Sequence, residues 1–468
     1  MSILIKNGTV LTAENEVKAD ILIIDEKIAA VGQNIGQETD EVIDAEGKYV
    51  FPGGIDQHTH FSALCNSGDK DTAGYETTKA VIVGGTTTII DYAPQDPGCG
   101  LIESAQYRIN TRAKGKTCVD FALHSLVTEV TDAMFDEIKQ LPDYGIASIK
   151  VFMAYIGSPL HVGDDTLYKV LQESKKVGVT VFVHAENGEI IDMLQKECVK
   201  AGNVTPEFHA VSRPPLVETE AAQRAIYIAD QLDAPLFIVH VSCKGASDAI
   251  AEARYKKQRV YGKTCTQYLT TTKDRLKDPD FNIAAQFVCS PALRDESDID
   301  AMWQALYDGV LSAVVSDHCG IDLAEMKQTG RENFVDIPNG APGAADRIHM
   351  IWTNGVAKNR ISRQKFVEVC SEMPAKINGI YPRKGTIAVG SDADIVIFNP
   401  DYRGVVKLAD NPNGVDYNIY EGREQIGQVE TVLLRGKKVV EHAQFVGEMG
   451  QGEFIPSKPY AYCFEGRE

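Results

Sequence analysis

FPGGIDQHTH, Phe51 to His60, runs an apolar stretch with two glycines into two histidines one residue apart. Residues i and i+2 of an extended strand share a face. His58 and His60 therefore point the same way, and both imidazoles can reach one ion. The same letters also describe a strand that merely finishes near the surface. The chain that follows has to decide between the two.

Seven further runs rich in Val, Ile, Thr and Phe recur, at residues 85–93, 119–127, 147–155, 179–186, 235–242, 258–269 and 311–319. Segments with helical periodicity lie between most of them, at 75–84, 132–141, 165–178, 218–232, 246–258 and 298–309. Eight strands alternating with helices predict an α/β chain built as a (β/α)₈ TIM barrel. A doubly wound sheet would alternate too, but no GxGxxG turn opens a helix after the first strand. Both ends of the chain read differently. ILIKNGTVLT, ADILIIDEKIAAVG and EVIDAEGKYV at one end, and GSDADIVIFNP and VETVLLRGKKVVEHAQFV at the other, are short strands joined by turn residues. The expected organisation is a split β-sandwich domain from residues 1–50 and 385–468, with a tail, around a barrel from residues 51–384.

The formal net charge of −19 argues against a nucleic-acid partner and gives no support for anionic lipid. No apolar run approaches the ~20 residues a bilayer requires, and MSILIKNGTV lacks the features of a secretory leader. The ten cysteines form no CxxC pair and read as reduced thiols of a cytoplasmic protein.

Barrel chemistry gathers at the carboxyl ends of the strands. There the first run carries His58 and His60, the fourth Lys150, the fifth His184, the sixth His240 and the eighth Asp317. Taken singly, each has a plain structural reading: a satisfied core histidine, a capping aspartate, a lysine that snorkels or pairs. His318, beside Asp317, reads as a supporting or structural residue. Lys150, between Ile149 and Val151, should be buried. Burial lowers an amine's pKa, and a neutral amine can take up carbon dioxide as a carbamate. Five strands bringing ligand-type side chains to one end favour the joint reading, a metal centre.

DQHTHF, SIKVFMAY, VHAENG, IVHVS, VVSDHC and IPNGAPG together resemble the cyclic amidohydrolases, and within them the dihydropyrimidinase and D-hydantoinase branch. The resemblance implies hydrolysis of a cyclic amide, a dihydropyrimidine or a 5-substituted hydantoin. The ring would open to an N-carbamoyl amino acid by attack of a hydroxide shared between two metals. It implies two zinc ions, with manganese or cobalt able to replace them. On that pattern His58 and His60 bind the first ion, N6-carboxylated Lys150 bridges both, and His184 and His240 bind the second. Asp317 completes the first site and serves as general base. Tyr155 polarises the substrate carbonyl, and Ser290 and Asn339 hold the cyclic amide through backbone groups. Relatives are homotetramers or homodimers whose carboxyl tail reaches a neighbour.

The chain departs from the pattern on the substrate side. The loop after His60 reads FSALCNSGDKDTAGYETTKA, IGSPLHVGDD follows Tyr155, and Ala345 stands where an acidic residue is usual. A changed loop leaves an allantoinase-type cyclic ureide hydrolase as the alternative. Phe61 and Ser62 after the histidines disfavour a dihydroorotase, which carries an arginine there. A non-catalytic scaffold of the same fold would lack the ligand set, which is complete here.

Overall fold

Gly53 divides the decisive stretch between two sheets. In the computed structural model, which describes residues 2–36, 38–62 and 73–459, Tyr49–Pro52 is a strand of a sheet made by the chain ends, and Gly54–His60 is the first barrel strand. The sequence reads Phe51–His60 as one strand, so the split is a correction. The two glycines make the crossing possible. A Cβ on Gly53 would lie 2.1 Å from Thr87 Oγ1, and one on Gly54 would lie 2.8 Å from a guanidinium nitrogen of Arg347.

The barrel has eight parallel strands. The first, Gly54–His60, is followed by Thr86–Pro94, Asp120–Leu126, Ser148–Phe152, Thr180–His184, Leu236–Ile238 and Val260–Cys265. The eighth is broken into Ala313–Val315 and His318–Cys319. Its first piece pairs with the seventh strand and its second with the first, where His318 lies opposite Thr59. The break closes the barrel, and Asp317 sits in it. Among the expected helices, 132–138, 164–177, 215–231, 244–255 and 296–307 cover the outside. The helix at Leu101–Tyr107, continued by a wider turn over Arg108–Ala113, is absent from the sequence reading.

The chain ends build two sheets. Lys27–Gly32, Asp20–Ile24, Ser2–Lys6 and Glu41–Asp44 form one, in that order. In the other, Tyr49–Pro52 lies between Ile395–Val405 and Thr9–Leu11, so both termini share a sheet. Ile3, Ile5, Ile21 and Ile23 of the first pack against Val50, Ile395, Ile397 and Leu433 of the second, the inside of a sandwich. The hairpin expected at RGKK turns on Arg435 and Gly436, both left-handed at φ 45° and 71°.

The tail runs along the amino-terminal end of the barrel. Phe121 donates to the Glu453 carbonyl at 2.9 Å, and Ile455 donates back to Phe121 at 2.7 Å. Ile455 is buried with Ile55, Ile90, Ala122 and Ile380, closing the end opposite the histidines. The tail beyond residue 459, expected to reach a neighbour, lies outside the described residues. So does the body of the loop after His60, residues 63–72.

Candidate metal centre

Strand alternation sets the first cluster. Thr59 Oγ1 points away and donates to Asp91 Oδ1 at 3.0 Å, while His58 and His60 turn inward. His58 Nε2 lies 3.1 Å from Asp317 Oδ1, and His60 Nε2 lies 3.4 Å from the same oxygen. The ligand-type atoms of these three residues all fall within 4.8 Å of one another. Lys150 Nζ lies 3.0 Å from His58 Nε2. The rings of His184 and His240 are 4.4 Å apart, and His240 is 5.4 Å from His58. The structure thus gathers His58, His60, Lys150, His184, His240 and Asp317 at one mouth.

Three of the candidate residues hold left-handed backbone: Tyr155 at φ 64°, His240 at 39° and Asp317 at 53°. Such conformations cost roughly 1–3 kcal/mol each outside glycine and cluster where the fold must aim a side chain. The sixth strand ends at Ile238, so His240 projects from the turn beyond it rather than from the strand.

Charge follows from burial and partners. Burial holds His58, His184 and His240 below the ordinary imidazole value, so they are neutral at pH 7, the form that binds metal. Burial pushes Asp317 up, but the hydrogen bond and charge of His60 outweigh it and keep the carboxyl ionised. Lys150 is 1% exposed, with the rings of Tyr92 and Phe152 each 4.6 Å from its Nζ. Burial brings its amine down to about 8, against a partial opposing pull from Asp317.

A supporting shell, unassigned by the sequence reading, fixes the second histidine pair. His184 Nε2 meets Glu186 Oε2 at 2.7 Å, leaving Nδ1 as the nitrogen for an ion. Arg213 donates to the same carboxylate at 3.2 Å. Burial raises Glu186, yet Arg213 and His184 prevail and hold it at about 2. Ser242, two residues beyond His240, donates its backbone N–H to Glu218 at 2.8 Å, and Arg294 donates to Glu218 at 2.9 Å. Glu186 stands inside the quoted motif VHAENG, while nothing in the local sequence marks Arg213.

The substrate-side candidates lie alongside. Tyr155 has its ring 5.5 Å from His184, and burial raises its hydroxyl to about 12, with Arg213 opposing. Ser290 is buried and faces Tyr155. Asn339 borders, with Tyr155, His209 and Arg213, a cavity of about 340 Å³. Lys327 joins the two backbone segments: its Nζ donates to the carbonyls of Val288, Pro338 and Gly340 at 3.0, 3.0 and 2.7 Å. A second cavity of about 540 Å³ opens beside His60, Leu126, Phe152 and Leu160. Ala345, read as a substrate-side position, is a correction. It is buried, with its carbonyl 2.0 Å from where a Gly84 Cβ would stand, and it borders neither cavity.

The donors suit divalent cations. They combine neutral imidazoles with an ionised carboxylate, and among the described residues Nδ1 of His58 and of His240 are buried without a hydrogen-bond partner. The Amidohydrolase family profile matches residues 49–439. The chain belongs to the amidohydrolase family. It is 44% identical to a D-hydantoinase of Ralstonia pickettii over 98% of this chain and 100% of the relative, and 37% identical to a dihydropyrimidinase of Arabidopsis thaliana over 100% of this chain and 87% of the relative. The crystal structure of a dihydropyrimidinase from Brevibacillus agri matches with a TM-score of 0.95 at 42% identity, covering 98% of this chain and 100% of that one. An L-hydantoinase from Arthrobacter aurescens matches with 0.90 at 31% identity, covering 97% and 99%. The chain stands in the dihydropyrimidinase and hydantoinase branch, hydrolases acting on cyclic amides, and the family implies a metal centre. A D-hydantoinase and an L-hydantoinase both stand among the solved structures this chain resembles.

Proposed function

We propose that this enzyme opens dihydropyrimidine or 5-substituted hydantoin rings, hydrolysing the cyclic amide to an N-carbamoyl amino acid. Two zinc ions, replaceable by manganese or cobalt, would be held by His58, His60 and Asp317 on one side and His184 and His240 on the other. Lys150 would join the two sides as a carbamate, formed when its neutral amine bonds to the carbon of CO₂ and releases one proton. The observation that carries this reading is the contact at 3.0 Å of a buried amine, lowered to about 8, with His58 at the centre of the imidazole cluster. Bound there, two cations supply Lewis acidity and make water acidic enough to attack at neutral pH, with a pKa of ~7.

The chain's own groups do the rest. Tyr155 stays protonated at working pH and donates to the oxygen that gains charge, an interaction often worth ~3 kcal/mol. Asp317, ionised beside His58 and His60, takes the proton of the attacking water and delivers it to the leaving nitrogen. Backbone groups at Ser290 and Asn339 hold the amide edge, in register because Lys327 ties their segments together. Free thiols at all eight described cysteines support a reducing, cytoplasmic setting. Exposed apolar side chains on one helix, Leu216 and Tyr227, suit a homotetramer or homodimer. Among the described residues no helix is long and apolar enough to cross a membrane.

The test is a panel of dihydrouracil, 5-substituted hydantoins and allantoin, with metal content measured on the same preparation. Ring opening of the first two classes by a fully metallated enzyme is expected. Turnover of allantoin alone would move the assignment to a ureide hydrolase, and no turnover by metallated protein would sink it.

A further inference from the structure

Tyr92 stands in the second barrel strand, 1% exposed, and its hydroxyl is buried without a hydrogen-bond partner among the described residues. Among the described residues, the rings that meet it belong to the centre or its floor. His60 stacks on it at 4.9 Å and 17°, His58 meets it edge-on at 4.7 Å, and His124 lies 4.8 Å away. The Lys150 ammonium nitrogen is 4.6 Å from the ring centroid. A buried hydroxyl left unpaired is costly, so a tyrosine here needs a partner that phenylalanine would not.

Among the described residues no side chain is hydrogen-bonded to it. His124 already spends its nitrogens on Ser148 Oγ at 2.5 Å and the Gln57 carbonyl at 3.2 Å. His60 Nε2 lies against Asp317, and Lys150 carries donors only. Carboxylation changes Lys150 from a donor into an anion with two acceptor oxygens. A tyrosine hydroxyl is protonated at neutral pH, so it has a hydrogen to give.

We infer that Tyr92 is a positioning residue whose hydroxyl donates a hydrogen bond to the carboxylate carried by Lys150, stabilising the carboxylated lysine. The inference rests on the carbamate reading above and adds a residue that neither binds metal nor touches substrate. Hydrogen bonds to charged groups are the strong ones, so losing this one should weaken CO₂ retention about tenfold.

The zinc-loaded full chain and its Tyr92→Phe variant are dialysed against a chelator across a bicarbonate series. Zinc per chain is read by atomic absorption, and the carbamate carbon by NMR after exchange with ¹³C-bicarbonate. Tyr92→Phe should need about tenfold more bicarbonate to keep half its zinc, and high bicarbonate should restore parental zinc content. Superimposable retention curves, with a carbamate signal present in both proteins, overturn the role of Tyr92. A lower melting temperature with an unshifted bicarbonate curve overturns it as well, leaving a packing role. No carbamate signal in the parent overturns the Lys150 reading itself, and the inference with it.

Discussion

Two lysines, both buried, lie at opposite ends of the same barrel and carry opposite chemistry. At the carboxyl end Lys150 faces aromatic rings and imidazoles, and burial brings its amine down to about 8. At the amino end Lys384 reaches Asp120 at 2.5 Å, Asp394 at 2.7 Å and Asp392 at 3.0 Å. Burial lowers its amine too, but these carboxylates outweigh it and hold the amine above its ordinary range. Arg435 completes that cluster by pairing with Asp120. Burial is common to both sites. The partners decide whether a buried lysine is a fixed charge that joins a barrel strand to the terminal strands or an amine free to react.

The same substitution at both ends separates the two roles. Lys150→Met removes the proposed bridging group and no ion pair among the described residues. It should abolish zinc binding and lower kcat/KM by roughly 10³-fold or more, since metal catalysis supplies several kcal/mol. The metal-free fold should melt as the metal-free parent does. A Lys150→Met protein with two zinc ions and full activity would break the comparison at its reactive end.

Lys384→Met should do the reverse. It strands Asp120, Asp392 and Asp394 with fewer cations, a loss on the order of 3–5 kcal/mol for a buried pair. Denaturant melts would register it, while the folded fraction keeps its zinc and its kcat. The pH dependence sharpens the point. A lysine whose folded pKa lies above the unfolded value of ~10.4 contributes stability that is complete below that pH. That contribution fades as pH climbs toward the folded value, so the parent should lose stability above about pH 10.4 faster than Lys384→Met does. Parallel alkaline melting curves would show that Lys384 is not the charge that matters there.

The two ends were also unequally legible. Ile149-Lys150-Val151 announces burial because strand neighbours on both sides are apolar, and His58-Thr59-His60 announces a shared face through its spacing. Lys384, in YPRKGT, has the surroundings of a surface turn. Its burial depends on Asp120, 264 residues away, and such pairing leaves no local trace. The alternation of eight strands with helices and the strand-rich chain ends followed from periodicity. The Gly53 crossing, the break at Asp317 and the left-handed turns at Tyr155 and His240 are set by closure of the barrel and by contacts across it. The helix at Leu101–Tyr107 escaped for a similar reason: two of its seven residues are Leu101 and Ile102, side by side, and the rest show little apolar periodicity.

Glu186 tests a subtler boundary, between holding a ligand and holding the fold. Like Asp120 it is a buried carboxylate paired with an arginine, but it also grips His184. Glu186→Gln keeps the shape and one acceptor oxygen, and turns an amide toward a partner that itself donates. If its work is to aim His184, zinc affinity at the second pair should fall about 10- to 100-fold, with excess zinc restoring turnover. The first pair should keep its ion, because His58 and His60 answer to Asp317 rather than to Glu186. Competition with a chromogenic zinc chelator would resolve two affinities, one shifted and one not. A uniform loss of stability with both affinities unchanged would instead group Glu186 with the carboxylates around Lys384, as a residue whose charge serves the fold.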